Sequence, residues 1–570
     1  MQNLNIPTTI DEIDPRSWET FKPYFEALAQ ADIAHDERRA WLESWSHLLA
    51  LLYESSSWIY IQKSLDTTDQ EKEQTFLTFL ENVAPLAEVA DQALKERLLK
   101  MDFSDMPDMA LVLRSLRNEA DLFRDENVPL KIEIAKLDNE YDKVTGGLKA
   151  EWDGEEKNLN QIQALLKEKD RAVRERAWKT MMALWLSQRE TLNQIYADML
   201  NLRRQMAENA NLPDYRAYAF REYGRFDYTP EDCFTFHEAI ETAVVPAASR
   251  IYEKKRQQLG LDVLRPWDID VDPFAAPPLK PYQGQDELIQ GSLNILNQVD
   301  PGLGRYFAIM AEENLLDLDT RAGKALGGYC STLHLRKRPF IFMNGVGIHD
   351  NVQTLLHEAG HAFHAFESAN QPLIWQTNAP IEFCEVASMS MELMAAPYLT
   401  TDYGGFYTSS EAARARIEHL EGIITFLPYM AVVDAFQHWV YTHPLEALQS
   451  DACDQTWTNL WQRFMPDVSW ADHEDACMTG WHRKLHIFGV PFYYIEYGMA
   501  QVGALQVWQN ALRNASATVT AYRTALALGG AKTLPELFQT AGAEFRFDAA
   551  LLSNLVYLIE QTVAELEASL

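Results

Sequence analysis

The chain has 570 residues, 47% of them hydrophobic and 11% aromatic, with a formal net charge of −33. That length allows several domains or one large, well-packed enzyme. The charge makes nucleic acid and anionic membranes poor partners, although it could steer cationic peptides. No run of about 18 uninterrupted apolar residues marks a membrane span. The first twelve residues have neither the basic segment nor the apolar core of a secretory signal. Five scattered cysteines without C-x-x-C spacing argue against a disulfide framework and point to a reducing cytoplasm.

Up to about residue 105, apolar and charged positions recur at helical spacing, with helices expected over 18–28, 40–60 and 76–99. Residues 107–145 continue as helix. At 148–155, Asp153-Gly154 offers a tight turn between two short extended arms, a β-hairpin. Helices resume at Leu159, and 171–206 reads as a long charged helix whose Arg and Glu pairs stand four apart. The proline-rich stretch 264–281 breaks the pattern and reads as an ordered crossing between lobes. A further helical run covers 285–311. These shifts divide the chain into an N-terminal helical region (1–105), a helical region with a hairpin (106–206) and a third region (207–570).

Residues 321–350 differ from their surroundings. Gly323, Gly327, Gly328, Gly345 and Gly347 punctuate two β-rich pieces at 331–335 and 339–343, which predicts a small sheet. A free edge of that sheet could pair with an extended peptide. Gly327-Gly328-Tyr329 could let backbone approach such a ligand closely, or be simply a structural turn.

The next stretch carries the chemistry. His357-Glu358-Ala359-Gly360-His361 is an H-E-x-x-H sequence inside an apolar helical run. Residues four apart lie about 40° apart around a helix and about 6 Å along it, so His357 and His361 present two imidazoles to one point. A tetrahedral zinc ion needs such a pair. Glu358 can reach a water at the metal rather than the metal itself, as a general base must. Two histidines packed on a core helix are the plainer alternative, so a third ligand decides the matter.

His364 shares the face but lies about 10 Å along the axis from His357, too far for bonds of about 2 Å to one ion. Glu367 would complete an extended motif that needs glycine where His364 stands. A second helix, 380–394, holds Glu382, Glu385 and Glu392 among apolar residues, and a buried carboxylate is costly unless paired or metal-bound. No Lys or Arg lies between Arg338 and Arg414, which favours a metal. One carboxylate could ligate while another, or Ser388, orients a ligand.

Near the C-terminus His486, Tyr493, Tyr494 and Tyr497 cluster around Pro491, so the tyrosines begin a helix on which Tyr493 and Tyr497 share a face. By themselves they read as aromatic core.

The run from His357 to His364, followed by Glu385-Val386-Ala387-Ser388, resembles the M3 (thimet oligopeptidase-like) metallopeptidases, most closely the oligoendopeptidase F branch. The stretches 327–330, 339–344 and 486–497 resemble that branch too, and the likeness covers about residues 110–560. It implies a mainly α-helical, two-lobed zincin-type fold with the small sheet beside the H-E-x-x-H helix and a deep central channel. It makes Glu385, on the next helix, the third ligand of one zinc ion per chain. It gives His486, Tyr493 and Tyr497 the task of binding the oxyanion, with Tyr494 an alternative to Tyr493 because spacing here departs from the thimet oligopeptidase branch. The implied activity is internal cleavage of short unstructured peptides. A zinc exopeptidase, or a peptide-binding protein that kept the zinc site, would share these residues; oligomeric state is not legible.

Overall fold

The computed structural model describes residues 4–271, 279–325 and 327–570. It is mainly α, with one two-stranded hairpin and one three-stranded mixed sheet among the described residues. Two large hydrophobic cores underlie a two-lobed build. One is drawn from the first 116 residues together with Leu373 and Ile374, the other from most of the remaining chain.

The first core is built on helix α1 (Arg38–Leu65), whose Trp41, Trp45 and Leu48 are fully buried. Several expected long helices are instead pairs, and proline explains most breaks. The run expected over 76–99 divides at Val83, ahead of Pro85, and the run over 285–311 divides at Asp300, ahead of Pro301. Proline has no N–H to continue a preceding helix but suits a first turn. The run over 171–206 breaks at Gln188 with no such signal.

The hairpin forms as expected. Strands β1 (Lys149–Trp152) and β2 (Glu155–Asn158) pair antiparallel, and Asp153 (φ 54°) and Gly154 (φ 87°) both take the left-handed conformation that a two-residue turn requires. Helix α2 (Pro230–Ala239), capped by Thr229, runs into a π-helical turn at Ile240–Val244, just before Pro246. The middle of the proline-rich crossing, residues 272–278, lies outside the described residues.

The second sheet has the order β3 (Leu316–Asp319), β5 (Arg338–Gly345), β4 (Tyr329–Leu333), with β3 parallel and β4 antiparallel to β5. One edge of β4 thus has no strand beside it among the described residues. The first core braces this sheet. Glu54 of α1 accepts from the backbone N–H of Leu335 (2.6 Å) and Arg336 (3.0 Å) in the β4–β5 turn.

After the sheet come α3 (His349–Ser368), α4 (Ile381–Ala395), the 34-residue α5 (Ser409–Thr442) and α6 (Tyr494–Arg513). By length and composition α5 could cross a membrane, yet 61% of its most apolar window is buried inside the protein. Helices α3 and α4 lie close together because Gly360 has no side chain: a Cβ there would stand 2.5 Å from Ser388 Cα and 2.7 Å from the Ala387 carbonyl oxygen.

Candidate active site

Helix α3 begins where Asn351 accepts hydrogen bonds from the N–H groups of Val346 (2.9 Å) and Ile348 (3.2 Å), joining the end of β5 to the first turn. Leu355, Leu356, Ala359, Ala362 and Phe363 are fully buried and fix which face looks inward. That phase leaves His357 and His361 half-buried, their ring centroids 4.9 Å apart. Glu385 reaches them from α4, with Oε2 3.3 Å from His357 Nε2 and 3.6 Å from His361 Nε2. Donor atoms about 2.0–2.1 Å from one tetrahedral ion stand about 3.3–3.4 Å apart, and the three side chains, with donors all within 4.8 Å of one another, are grouped closely enough to share a single metal.

Neighbours hold these donors in place. Ser388 donates to Glu385 Oε2 at 3.0 Å. His357 Nδ1 donates to Glu392 at 2.7 Å, which leaves Nε2 for the metal point, and the other oxygen of Glu392 meets His419 Nε2 of α5 at 3.0 Å. Burial opposes ionisation of Glu392, but hydrogen bonds from His357 and His419 hold its carboxyl down to about 2. Burial lowers His361 to about 4, so its imidazole is a neutral, ligand-competent donor. Burial raises the Glu358 carboxyl to about 7. Glu382 belongs elsewhere, accepting from the Tyr228 hydroxyl at 2.6 Å. Glu367 is likewise paired away from the site, with Arg523 at 2.7 Å. His364 lines the cavity but lies outside the ligand trio.

The site opens into a cavity of about 570 Å³. His357, Glu358, His361 and Glu385 form one wall, and Gly328, Tyr329, Cys330 and Thr332 of β4 and its approach form another. Tyr493 and Tyr497 close it, ring centroids 5.2 Å apart. Tyr494 does not line it. One position along the helix rotates a side chain by about 100°, and its ring packs against Phe426 and Tyr429 under the Lys484 ammonium. Gly327 also stays out of the wall. Its φ of 92° makes the turn, and its carbonyl accepts from Asn344 at 2.9 Å. Tyr329 lies at the wall with its ring stacked on Phe342. His486 stands behind the tyrosines, its ring 6.0 Å from that of Tyr497, and burial lowers it to about 4.

The turn that presents Tyr493 is firmly held. Phe492 is left-handed (φ 67°), its N–H donates to Gln437 of α5 at 2.7 Å, and its carbonyl accepts from Arg225 at 2.5 Å. Arg225 also pairs with Glu496 at 2.8 Å, both nearly inaccessible. Sequence reasoning missed Arg225, Gln437 and His419, because each comes from a distant element with no motif of its own.

A family model for peptidase family M3 matches residues 164–557, and one for the M3 peptidase N-terminal domain matches residues 13–107. The chain belongs to peptidase family M3. Within that family it is similar to an oligoendopeptidase F homologue of Mycoplasma pneumoniae, 25% identical over 41% of this chain and 38% of the relative. It is also similar to oligopeptidase PepF of Bacillus subtilis, 24% identical over 42% of this chain and 36% of the relative. The alignments with these curated relatives thus span under two-fifths of the relatives' length. The solved structure of PZ peptidase A with an inhibitor agrees over far more, with a TM-score of 0.87, 26% identity and 96% of each chain covered.

Proposed function

We propose that this M3-family chain is a zinc metalloendopeptidase cleaving internal bonds of short, unstructured oligopeptides. The observation that carries this reading is the convergence of His357, His361 and Glu385 on one point beside Glu358, in a cavity walled by a strand with a free edge. Two imidazoles and one carboxylate suit zinc with a coordination position left open. When bound, one zinc ion there supplies Lewis-acid polarisation and lowers the pKa of water.

The chain's own groups do the rest. The peptide backbone adds to the free edge of β4 and lies across the cavity, where Gly328 presents no side chain. Glu358 accepts a proton from the attacking water and returns it to the leaving nitrogen, as a carboxyl beside the ligand trio but outside it can. Tyr493 and Tyr497 donate hydrogen bonds to the developing oxyanion. Burial pushes the Tyr497 phenol up to about 12, so it keeps the proton it must donate. The resemblance gives His486 the same task, and its ring lies 6.0 Å from that of Tyr497. A deep channel between the lobes would admit extended peptides and exclude folded proteins. The free cysteines fit a cytoplasmic setting.

The deciding assay uses an internally quenched peptide blocked at both termini, with zinc content measured on the same sample. Cleavage within the peptide is expected. Cleavage only of peptides with free ends would make the protein an exopeptidase, and binding without turnover would make it a peptide-binding protein.

A further inference from the structure

Apart from the catalytic trio, one other group of side chains among the described residues brings three metal-donor types together. Cys233 lies on α2, and Asp434 and His438 lie one turn apart on α5. Their donor atoms are all within 4.8 Å of one another. Neither Cys233 nor Asp434 has measurable exposure, and His438 is only 2% exposed. A fourth side chain joins them: His237, one helical turn after Cys233, lies with Nε2 2.9 Å from Asp434 Oδ2.

The hydrogen bonding here is incomplete in a particular way. Asp434 Oδ1 and both ring nitrogens of His438 are buried without a hydrogen-bond partner. His438 Nε2 stands 3.3 Å from Asp434 Oδ2 but lacks hydrogen-bond geometry. Cys233 is a free, buried thiol. The ion pairs of Asp434 are with histidines alone, with no Lys or Arg among them. A wholly buried carboxylate without a cation is expensive, and so is each buried polar atom left unpaired.

We propose that Cys233, Asp434 and His438 form a second, structural metal site, with His237 holding the carboxylate through Oδ2 so that Oδ1 faces the ion. A dication with one thiolate, one carboxylate and a neutral imidazole carries no net charge, which removes the cost of burying Asp434. Sulfur, nitrogen and oxygen donors together select a borderline-soft ion, zinc before magnesium or calcium. Binding displaces the Cys233 thiol proton to solvent and leaves the imidazole neutral. Adjacent donors of such a site stand about 3.3–3.8 Å apart, so the trio contracts slightly around the ion.

The site would act on the reaction from a distance. Gln437, between the two α5 ligands, accepts the Phe492 N–H, and the His438 ring packs edge-on against the Phe492 ring with centroids 5.2 Å apart. Fixing this turn of α5 to α2 therefore fixes the left-handed residue that precedes Tyr493. Cys233, His237, Asp434 and His438 are positioning residues in this sense.

Cobalt(II) reports the site directly, because sulfur gives a near-ultraviolet thiolate-to-cobalt charge-transfer band that a site of two histidines and one glutamate cannot. Wild type, the H357A/H361A variant and C233S would be reconstituted with cobalt under reducing, oxygen-free conditions, and metal counted per chain. We expect about two ions and the band in wild type, about one ion with the band in H357A/H361A, and about one without it in C233S. D434N, which should also lose the band, replaces C233S if that variant does not fold. Saturation of wild type at one ion without the band overturns the proposal, as does a band that survives in C233S. Cys330 and Cys384 line the catalytic cavity, so the second result would move the thiolate there.

Discussion

Two three-donor clusters among the described residues are built alike, each from donors one turn apart on one helix facing a partner helix, yet water reaches only one of them. His357 and His361 keep 23% and 22% of their side-chain surface exposed, whereas His237 and His438 keep 3% each. An ion that works on a substrate needs a position that substrate can reach, and an ion that only holds helices together needs no such access. Exposure, more than donor identity, therefore separates the part of the molecule that does chemistry from the part that aims it.

The sharpest way to break this contrast is Glu358→Gln. It should lower kcat/KM by about 10³- to 10⁴-fold while metal content stays at the wild-type value. Loss of metal in that variant would mean that Glu358 is a ligand and not the base. Next in size, Tyr497→Phe and Tyr493→Phe should each cost about 10²-fold, mainly in kcat, since the hydroxyl serves the transition state. An effect confined to KM would place the tyrosines in ground-state binding. Glu392→Gln should weaken zinc binding by about 10- to 100-fold, read by competition with a chelator, because the neutral amide is a weaker acceptor than the carboxylate for the His357 N–H that fixes its tautomer.

The smallest effect concerns the metal-free protein. There the folded Glu358 carboxyl sits at about 7 against an ordinary 4.5. Folding thus takes up a proton between those values, and stability falls as pH rises through that window. Metal-free Glu358→Gln should lack this contribution, so chemical denaturation at intervals across the window should find the variant gaining on wild type as pH rises. Parallel curves would show that the carboxyl is not perturbed by burial.

How much of this is legible in the sequence depends on how local each cause is. His357 and His361 can be paired from spacing alone, because four residues on a helix fix both angle and rise. The Asp153-Gly154 hairpin is equally legible, since two positive φ values restrict which residues serve. By periodicity alone Glu385, Glu382 and Glu392 look equivalent; the family resemblance singles out Glu385, and the packing of α4 on α3 sets it against His357 and His361, with Glu392 on His357 Nδ1 and Glu382 on Tyr228. The tyrosine helix can be phased once Pro491 marks its start, but the cavity is what distinguishes Tyr493 from Tyr494. The Gln437 and Arg225 contacts to Phe492 span 55 and 267 residues and leave no periodic trace. For the same reason Cys233 reads as one of five scattered thiols.

Gly360 touches no donor and yet sets where they meet. With Ser388 Cα 2.5 Å from where its Cβ would be, the separation of α3 and α4 is limited by one absent methyl group, and Glu385 rides on the far side of that gap. Anyone retuning this protein toward a larger or smaller ion would find the ligands a poor place to start. Position 360 is the spacer, and each atom added there would move a whole helix, carrying Glu385 away from His357 and His361.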